Sequence, residues 1–243
     1  MSTQNLLVEL FVEELPPKAL KKLGEAFSQA LVDSLKAQGL SGAASVVTPF
    51  ASPRRLAAHI TDVAARAADK PILHKLMPAN VALTAEGQAT PALLKKLASL
   101  GLDAAVLPQL KRMPDGKAEA LFFDTVAPGV ELAAGLQKAL DEALAKLPIP
   151  KVMTYQLADG WSSVNFVRPA HALIALHGTE VVPVSTLGLN AGRETQGHRF
   201  EALKHPLQIE NADRYAAQMR DEGAVIAGFA ERRAEIERQL QAA

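Results

Sequence analysis

The sequence predicts an α+β fold, with amphipathic helices packed on mixed or antiparallel sheets, and three observations carry that expectation. Two stripes of mostly leucine, Leu20 to Leu35 and Leu132 to Leu147, recur at the three- and four-residue spacing of a helix face. Around them lie strand-like blocks, short apolar runs broken by proline and glycine. Aromatic residues make up only 5% of a chain that is 49% hydrophobic, and Ala and Leu dominate. That composition favours aliphatic helix packing over an all-β sandwich.

Leu6–Val12 is mostly apolar with one acid, Glu9, and reads as a buried strand. Glu13-Glu14-Leu15-Pro16-Pro17 ends it. Proline cannot continue a central strand but suits a first helical turn, where the two acids also complement the helix dipole. Leu20, Leu23, Phe27, Leu31 and Leu35 predict a helix over 17–38, stopped by Gly39. Val46-Val47 and Leu56–Val63 read as strands joined by the connection Pro49 to Arg55. Residues 69–90 carry prolines, a glycine and little periodicity, which predicts a long loop or short irregular pieces. Thr90 and Pro91 open a short helix that Gly101 closes.

Pro114-Asp115-Gly116 is a turn before a strand over Ala118–Val126. The stripe Leu132, Leu136, Leu140, Leu144 and Leu147 predicts a second long helix, stopped by Pro148 and Pro150. A strand-rich block follows from Val164 to Phe200. Within it, Ala172–Leu176 and Val181–Leu187 flank His177-Gly178-Thr179-Glu180 as a hairpin. Asn211 caps a helix ending near Gly223, and a last helix carries Ile226, Phe229, Ile236 and Leu240 on one side. That helix reaches Ala243 without a stop signal, so the natural chain is expected to continue. The expected organisation is an α+β domain over 1–210 and the start of a helical region over 211–243.

Twenty-six basic residues balance twenty-six acidic ones, so no bulk positive charge announces nucleic-acid binding. The chain has no cysteine, which excludes disulfides, thiol nucleophiles and thiolate metal sites. The start, Met1 to Asn5, lacks the basic region and apolar stretch of a secretory signal, and no apolar run is long enough to span a bilayer. A cytoplasmic protein with no membrane role is the expectation.

Phosphate-binding loops, dinucleotide fingerprints, nucleophile elbows and His-Glu-x-x-His are all absent from the sequence. The pairs His171/His177 and His198/His205 have gaps that do not bring two imidazoles together on a helix, so no metal site is expected. Glu13-Glu14 could be an acid pair, but adjacent side chains diverge, and strand termination explains them. Arg54 and Arg55 open a predicted strand, where alternation turns only one of them toward any given ligand. Guanidinium forks suit phosphate, and an internal ion pair suits the same residues. The most pointed features are Phe166-Val167-Arg168-Pro169-Ala170-His171 and Gly197-His198-Arg199-Phe200, with Arg193 close by. Arg and His beside an aromatic ring is the grammar of RNA contact, and equally of arginines knitting a sheet to its neighbours.

Several of these segments also match, in order, a known pattern. Residues 7–20, Leu-Val-Glu-Leu-Phe-Val-Glu-Glu-Leu-Pro-Pro-Lys-Ala-Leu, are similar to the start of the β subunit of bacterial two-subunit glycyl-tRNA synthetase. Pro53-Arg54-Arg55-Leu56-Ala57, Lys146-Leu147-Pro148-Ile149-Pro150-Lys151, Phe166 to His171, Gly197 to Phe200 and Asn211-Ala212-Asp213 continue the resemblance. Departures stand at Leu10-Phe11-Val12 (the family often has Ile-Gly-Thr), at Thr154-Tyr155 (Arg-Trp) and at His74 to Pro78 (Lys-Arg-Gly-Pro).

The resemblance implies an amino-terminal domain distantly similar to the editing-type domain of the phenylalanyl synthetase β subunit. It implies that ATP, Mg and glycine are handled by an α subunit in an α2β2 assembly, with no cofactor and no catalytic residue in this chain. It implies that tRNA(Gly) is a partner, for which Arg54, Arg55, Lys151, Arg168, His171, Arg193, His198 and Arg199 are the candidate contacts. Arg168, His171, His198 and Arg199 are expected to lie near one another. The other reading is a purely structural domain that docks the α subunit and touches no RNA.

Overall fold

The computed structural model describes residues 2–84, 87–116 and 118–243. The chain forms two compact units, one of Met1–Ala67 with Val130–Ala243 and one of Ala68–Gly129. The first begins with β1 (Thr3–Val12), α1 (Leu20–Gln38), β2 (Val47–Ser52) and β3 (Arg55–Ala64). The second comprises β4 (Lys70–Pro78), α2 (Ala79–Ala82), α3 (Pro91–Ser99), a 3-10 turn (Ala104–Gln109), β5 (Lys111–Asp115) and β6 (Ala118–Ala127). The chain then re-enters the first unit with α4 (Leu132–Lys146), β7 (Met153–Gln156), β8 (Ser163–Phe166) and β9 (Ala170–His177). Short strands β10 (Glu180–Val181), β11 (Ser185–Thr186), β12 (Leu189–Gly192), β13 (Glu194–Thr195) and β14 (Leu207–Gln208) lead to α5 (Tyr215–Asp221) and α6 (Phe229–Ala242). The α+β class is as expected.

The main sheet of the first unit runs β11-β12-β9-β1-β3-β2, with β10 also paired to β9. β1 lies between antiparallel β3 and β9, so both of its edges are hydrogen-bonded and both of its faces are covered. Side chains alternate along a strand. Leu6, Val8, Leu10 and Val12 therefore pack with Leu23, Phe27 and Leu31 of α1 and Leu136 and Leu140 of α4. Leu7 points the other way, into a second cluster with Ile174, Leu207, Ile209, Tyr215 and Met219. Burial on both faces is why β1 reads as a near-continuous apolar run instead of an alternating one.

Both leucine stripes face this core: Phe27 and Leu140 are fully buried. Gly39 ends α1 in the left-handed conformation at φ 77°, as a helix stop requires. Asn211 accepts hydrogen bonds from the backbone N–H groups of Asp213 and Arg214 and caps the turn into α5. Within the second unit, β4, β6 and β5 form an antiparallel sheet whose core gathers Leu76, Leu93, Leu97 and Leu121.

Four expectations change. Residues 69–90 are not mainly loop, since they contain β4 and α2; Ala85 and Glu86 of that span lie outside the described residues. β4 is an edge strand, where Pro71 and Pro78 remove no donor that a neighbour needs. Pro49 to Ser52 belong to a strand for the same reason, because β2 is an edge of the main sheet. Val181–Leu187 is not one strand: Pro183 divides it between β10 and β11, which pair with different neighbours. Strand structure also stops at Thr195 in that block, so His198, Arg199 and Phe200 stand on a turn and not in a sheet. The last helix forms without a fully buried residue: Phe229 packs partly on the core, while Ile236 and Leu240 are exposed. Among the described residues no helix is long and apolar enough to cross a membrane.

Candidate functional site: an arginine-lined cavity

The site grows from the second face of β1. Glu9 and Phe11 point to the same side as Leu7, and the register sets Phe11 directly opposite Arg55 of β3 and Glu9 opposite Ala57. Glu9 and Arg55 are thus diagonal neighbours across the ladder. Both are buried, at 0% and 2% exposure, with Arg55 Nε 3.4 Å from Glu9 Oε2. That contact is an ion pair without hydrogen-bond alignment, since Arg55 Nε finds no acceptor in good geometry. The remaining capacity of Glu9 is filled by two hydroxyls: Thr195 donates to Oε1 and Tyr215 donates to Oε2. Arg55 also donates through Nη2 to the carbonyl of Gln196. Burial, then the charge of Glu9, pushes the Tyr215 hydroxyl well above the usual tyrosine range.

This buried cluster ties the 195–215 segment to β1 and β3, and so places the turn that follows Thr195. Gly197 approaches the backbone of Gly223 so closely that a Cβ there would sit 2.5 Å from the Gly223 carbonyl oxygen. Only glycine fits that crossing. His198 N–H donates to the same carbonyl at 2.7 Å, which holds His198-Arg199-Phe200 against the 223–226 segment. The Nδ1 atom of His198 accepts from the backbone N–H groups of Phe200 and Glu201, at 3.3 and 3.1 Å. A neutral His198 ring then carries its proton on Nε2, which is free to donate.

A cavity of about 440 Å³ opens between these parts, within the size range of small-ligand sites. Its lining includes Phe11, Glu14, Arg54, Arg55, His198, Arg199, Phe200 and Arg232. The guanidinium of Arg54 lies 4.8 Å and that of Arg55 5.4 Å from the centre of the Phe11 ring. Arg54 sits in the tight turn between β2 and β3, outside the ladder, so strand alternation does not separate it from Arg55. Both guanidiniums line the cavity, but that of Arg55 is 2% exposed and held by Glu9, which is the internal ion pair that the sequence also allowed. Arg232, from α6, donates to the carbonyls of Ile226 and Ala51, both at 2.9 Å. Burial and then the nearby charge of Arg55 push the Arg232 guanidinium below the ordinary arginine value.

The other candidates divide by location. Glu13 accepts from Arg54 at 3.3 Å and contacts His171 Nε2 at 2.8 Å. His171 reaches that position because a bulge in the β1–β9 pairing falls between Phe11 and Val12. Arg168 donates through Nε to the carbonyl of Glu14 at 3.0 Å. Arg168 and His171 are therefore joined to the cavity wall through Glu13 and Glu14. Arg193 is elsewhere, bonded through Nη2 to Thr179 at the far end of β9, and Lys151 is exposed and does not line the cavity. The sequence reading missed Phe11, Arg232 and the Glu9–Tyr215–Thr195 cluster. One signal for the last was present, a lone carboxylate in the middle of an apolar strand.

The family described as glycyl-tRNA synthetase beta subunit matches residues 6–243. The chain is 73% identical along its whole length to the glycine–tRNA ligase beta subunit of Leptothrix cholodnii, of which it covers 34%. It is 69% identical over its whole length to that of Dechloromonas aromatica and 67% to that of Thiobacillus denitrificans, covering 35% of each. The chain thus spans about a third of the length of the curated relatives it matches.

Proposed function

The chain belongs to the glycyl-tRNA synthetase β-subunit family, and from that premise we propose that it supports ATP-dependent attachment of glycine to tRNA(Gly) by positioning the tRNA and scaffolding the α subunit. In this reading the α subunit handles ATP, Mg and glycine, and the 243-residue chain alone gives no glycine-dependent ATP–pyrophosphate exchange. The assembled ligase works in the cytoplasm. The observation that carries tRNA positioning is the turn at His198-Arg199-Phe200. Arg199 is exposed on the rim of an arginine-lined cavity and makes no hydrogen bond or ion pair with a described residue. A guanidinium without a protein acceptor is suited to a phosphate oxygen.

A second reading, a docking domain without RNA contact, is favoured by Arg55 and Arg193, whose guanidiniums are spent on a buried carboxylate and on backbone carbonyls. Arg199→Ala in the full α/β enzyme separates the two. Positioning of tRNA predicts a raised apparent KM for tRNA and a log–log salt slope flatter by about one contact's worth, roughly 0.7–0.9. The docking reading predicts unchanged tRNA kinetics, with any defect confined to melting temperature or to assembly with the α subunit.

A further inference from the structure

We propose that the cavity between the β2–β3 turn, the 197–200 turn and α6 takes one unpaired RNA nucleotide, its phosphodiester on Arg54 and Arg199 and its base on the ring of Phe200. The inference rests on the tRNA-positioning reading and goes beyond it by naming what enters the cavity.

Charge is the first argument. Four arginines line the cavity against one carboxylate, Glu14. Glu9 and Glu13, behind the wall, pair with Arg55 and Arg54, so four cations meet three carboxylates and an excess of about one positive charge remains. One phosphodiester carries one negative charge and matches that excess, whereas the triphosphate of a free nucleotide overfills it. Two guanidinium nitrogens, Arg54 Nε and Arg55 Nε, are buried without a hydrogen-bond acceptor. Buried donors without acceptors are costly, and guanidiniums whose donors the protein leaves unsaturated are ones that a nearby anion stabilises by its charge.

The aromatic ring is the second argument. Phe200 is 80% exposed although it lines the cavity, so burial in the protein core does not explain a large apolar side chain there. Its orientation is nonetheless held. The His198 ring meets it edge-on with centres 6.2 Å apart, and the Phe200 backbone N–H is bound by His198 Nδ1. A propped, solvent-facing ring beside guanidiniums is the arrangement on which an unstacked base settles. The free Nε2–H of a neutral His198 supplies a donor to that base or to its sugar. A base within a duplex is stacked on both sides and cannot enter a concave site, so the ligand chemistry is that of an unpaired residue.

The test uses the full α/β enzyme, with equilibrium binding of tRNA(Gly), a short unpaired ribo-oligonucleotide, an RNA duplex and AMP. Variants are Arg199→Ala, Phe200→Ala and Phe200→Trp; Phe200 is exposed, so replacing it leaves the core intact, and melting temperature checks this. The expected result is a loss of about ten-fold in oligonucleotide affinity for Phe200→Ala, the scale of one stacked base, with affinity kept in Phe200→Trp. Duplex affinity is expected to be the same with Phe, Ala or Trp at position 200. If Arg199→Ala weakens tRNA binding while Phe200→Ala does not, the surface touches backbone only, and the nucleotide proposal falls while tRNA positioning stands. If neither variant changes tRNA binding, both fall. If AMP displaces the oligonucleotide at equal concentration, the site is one for free nucleotides and the RNA assignment is overturned.

Discussion

Replacing Glu9 by Gln keeps the shape of the side chain and removes its charge, leaving Arg55 with no counter-ion. The pair is buried at 0% and 2% exposure and separated by 3.4 Å. At an effective dielectric constant of about 20, two unit charges at that distance attract by roughly 5 kcal/mol. The glutamine variant also sheds the desolvation cost of its own carboxylate. The net loss expected is therefore about 3–5 kcal/mol, the scale for orphaning one member of a buried pair. Tyr215 and Thr195 bond different oxygens of Glu9, so in the glutamine variant one hydroxyl still donates to the amide oxygen and the other has to turn and accept from the amide NH2. Equilibrium urea unfolding of the 243-residue chain is the assay, with the midpoint reporting stability and an unchanged slope confirming that the same surface unfolds. A companion variant, Glu9→Leu with Arg55→Met, should be more stable than Glu9→Leu alone, because it removes the stranded charge. A loss under about 1 kcal/mol for Glu9→Gln is the size of a surface pair. That outcome would refute the reasoning by showing that water already screens the cluster.

Three further outcomes follow from particular contacts. Phe27→Ala and Leu140→Ala should each cost about 2–5 kcal/mol in the same unfolding assay, since both side chains are fully buried between the helices and the sheet; losses near zero would mean that the leucine faces are not core. Gly24→Ala should cost about 1–3 kcal/mol, because a Cβ on α1 would meet the Ala51 Cβ at 2.6 Å, and Ala51→Gly in the same chain should restore part of it. Tyr215→Phe removes a hydrogen bond to a charged group, a cost of about 1.5–3 kcal/mol at pH 7. Burial and Glu9 raise the folded-state value of Tyr215, so the unfolded chain loses this proton first, at about pH 10. Stability from that proton is complete below pH 10 and declines as pH rises toward the folded-state value. The gap between wild type and Tyr215→Phe should accordingly narrow above pH 10, and a constant gap would place the linkage elsewhere.

Long periodic elements were legible without coordinates. The stripes of α1 and α4 repeat over four turns or more, and Gly39, Thr90 and Asn211 mark helix ends through local chemistry that needs no distant partner. β1 declared itself by the length of its apolar run. β2 was legible only at its start, Val46-Val47, and β4 not at all, because a proline breaks a strand only where a neighbour needs the missing donor. Nothing local says that a strand lies at an edge.

The candidate site divides along the same line. By itself the sequence determined the helix faces, the breakers, the balance of charge and the ordered motifs that carry family membership, all of which are properties of a residue and its near neighbours. Arg54, Arg55, His198 and Arg199 are therefore legible as chemistry-bearing residues from their local motifs. Tertiary structure alone decided which of them converge. Arg55 is spent on Glu9, and Arg193 is held at the far end of β9. Arg232, far along the chain on α6, closes the cavity that Arg54 and Arg199 share. The physical reason is that convergence is set by strand register and by the close crossing of Gly197 over Gly223, which join residues far apart in the chain through backbone geometry that no single segment encodes.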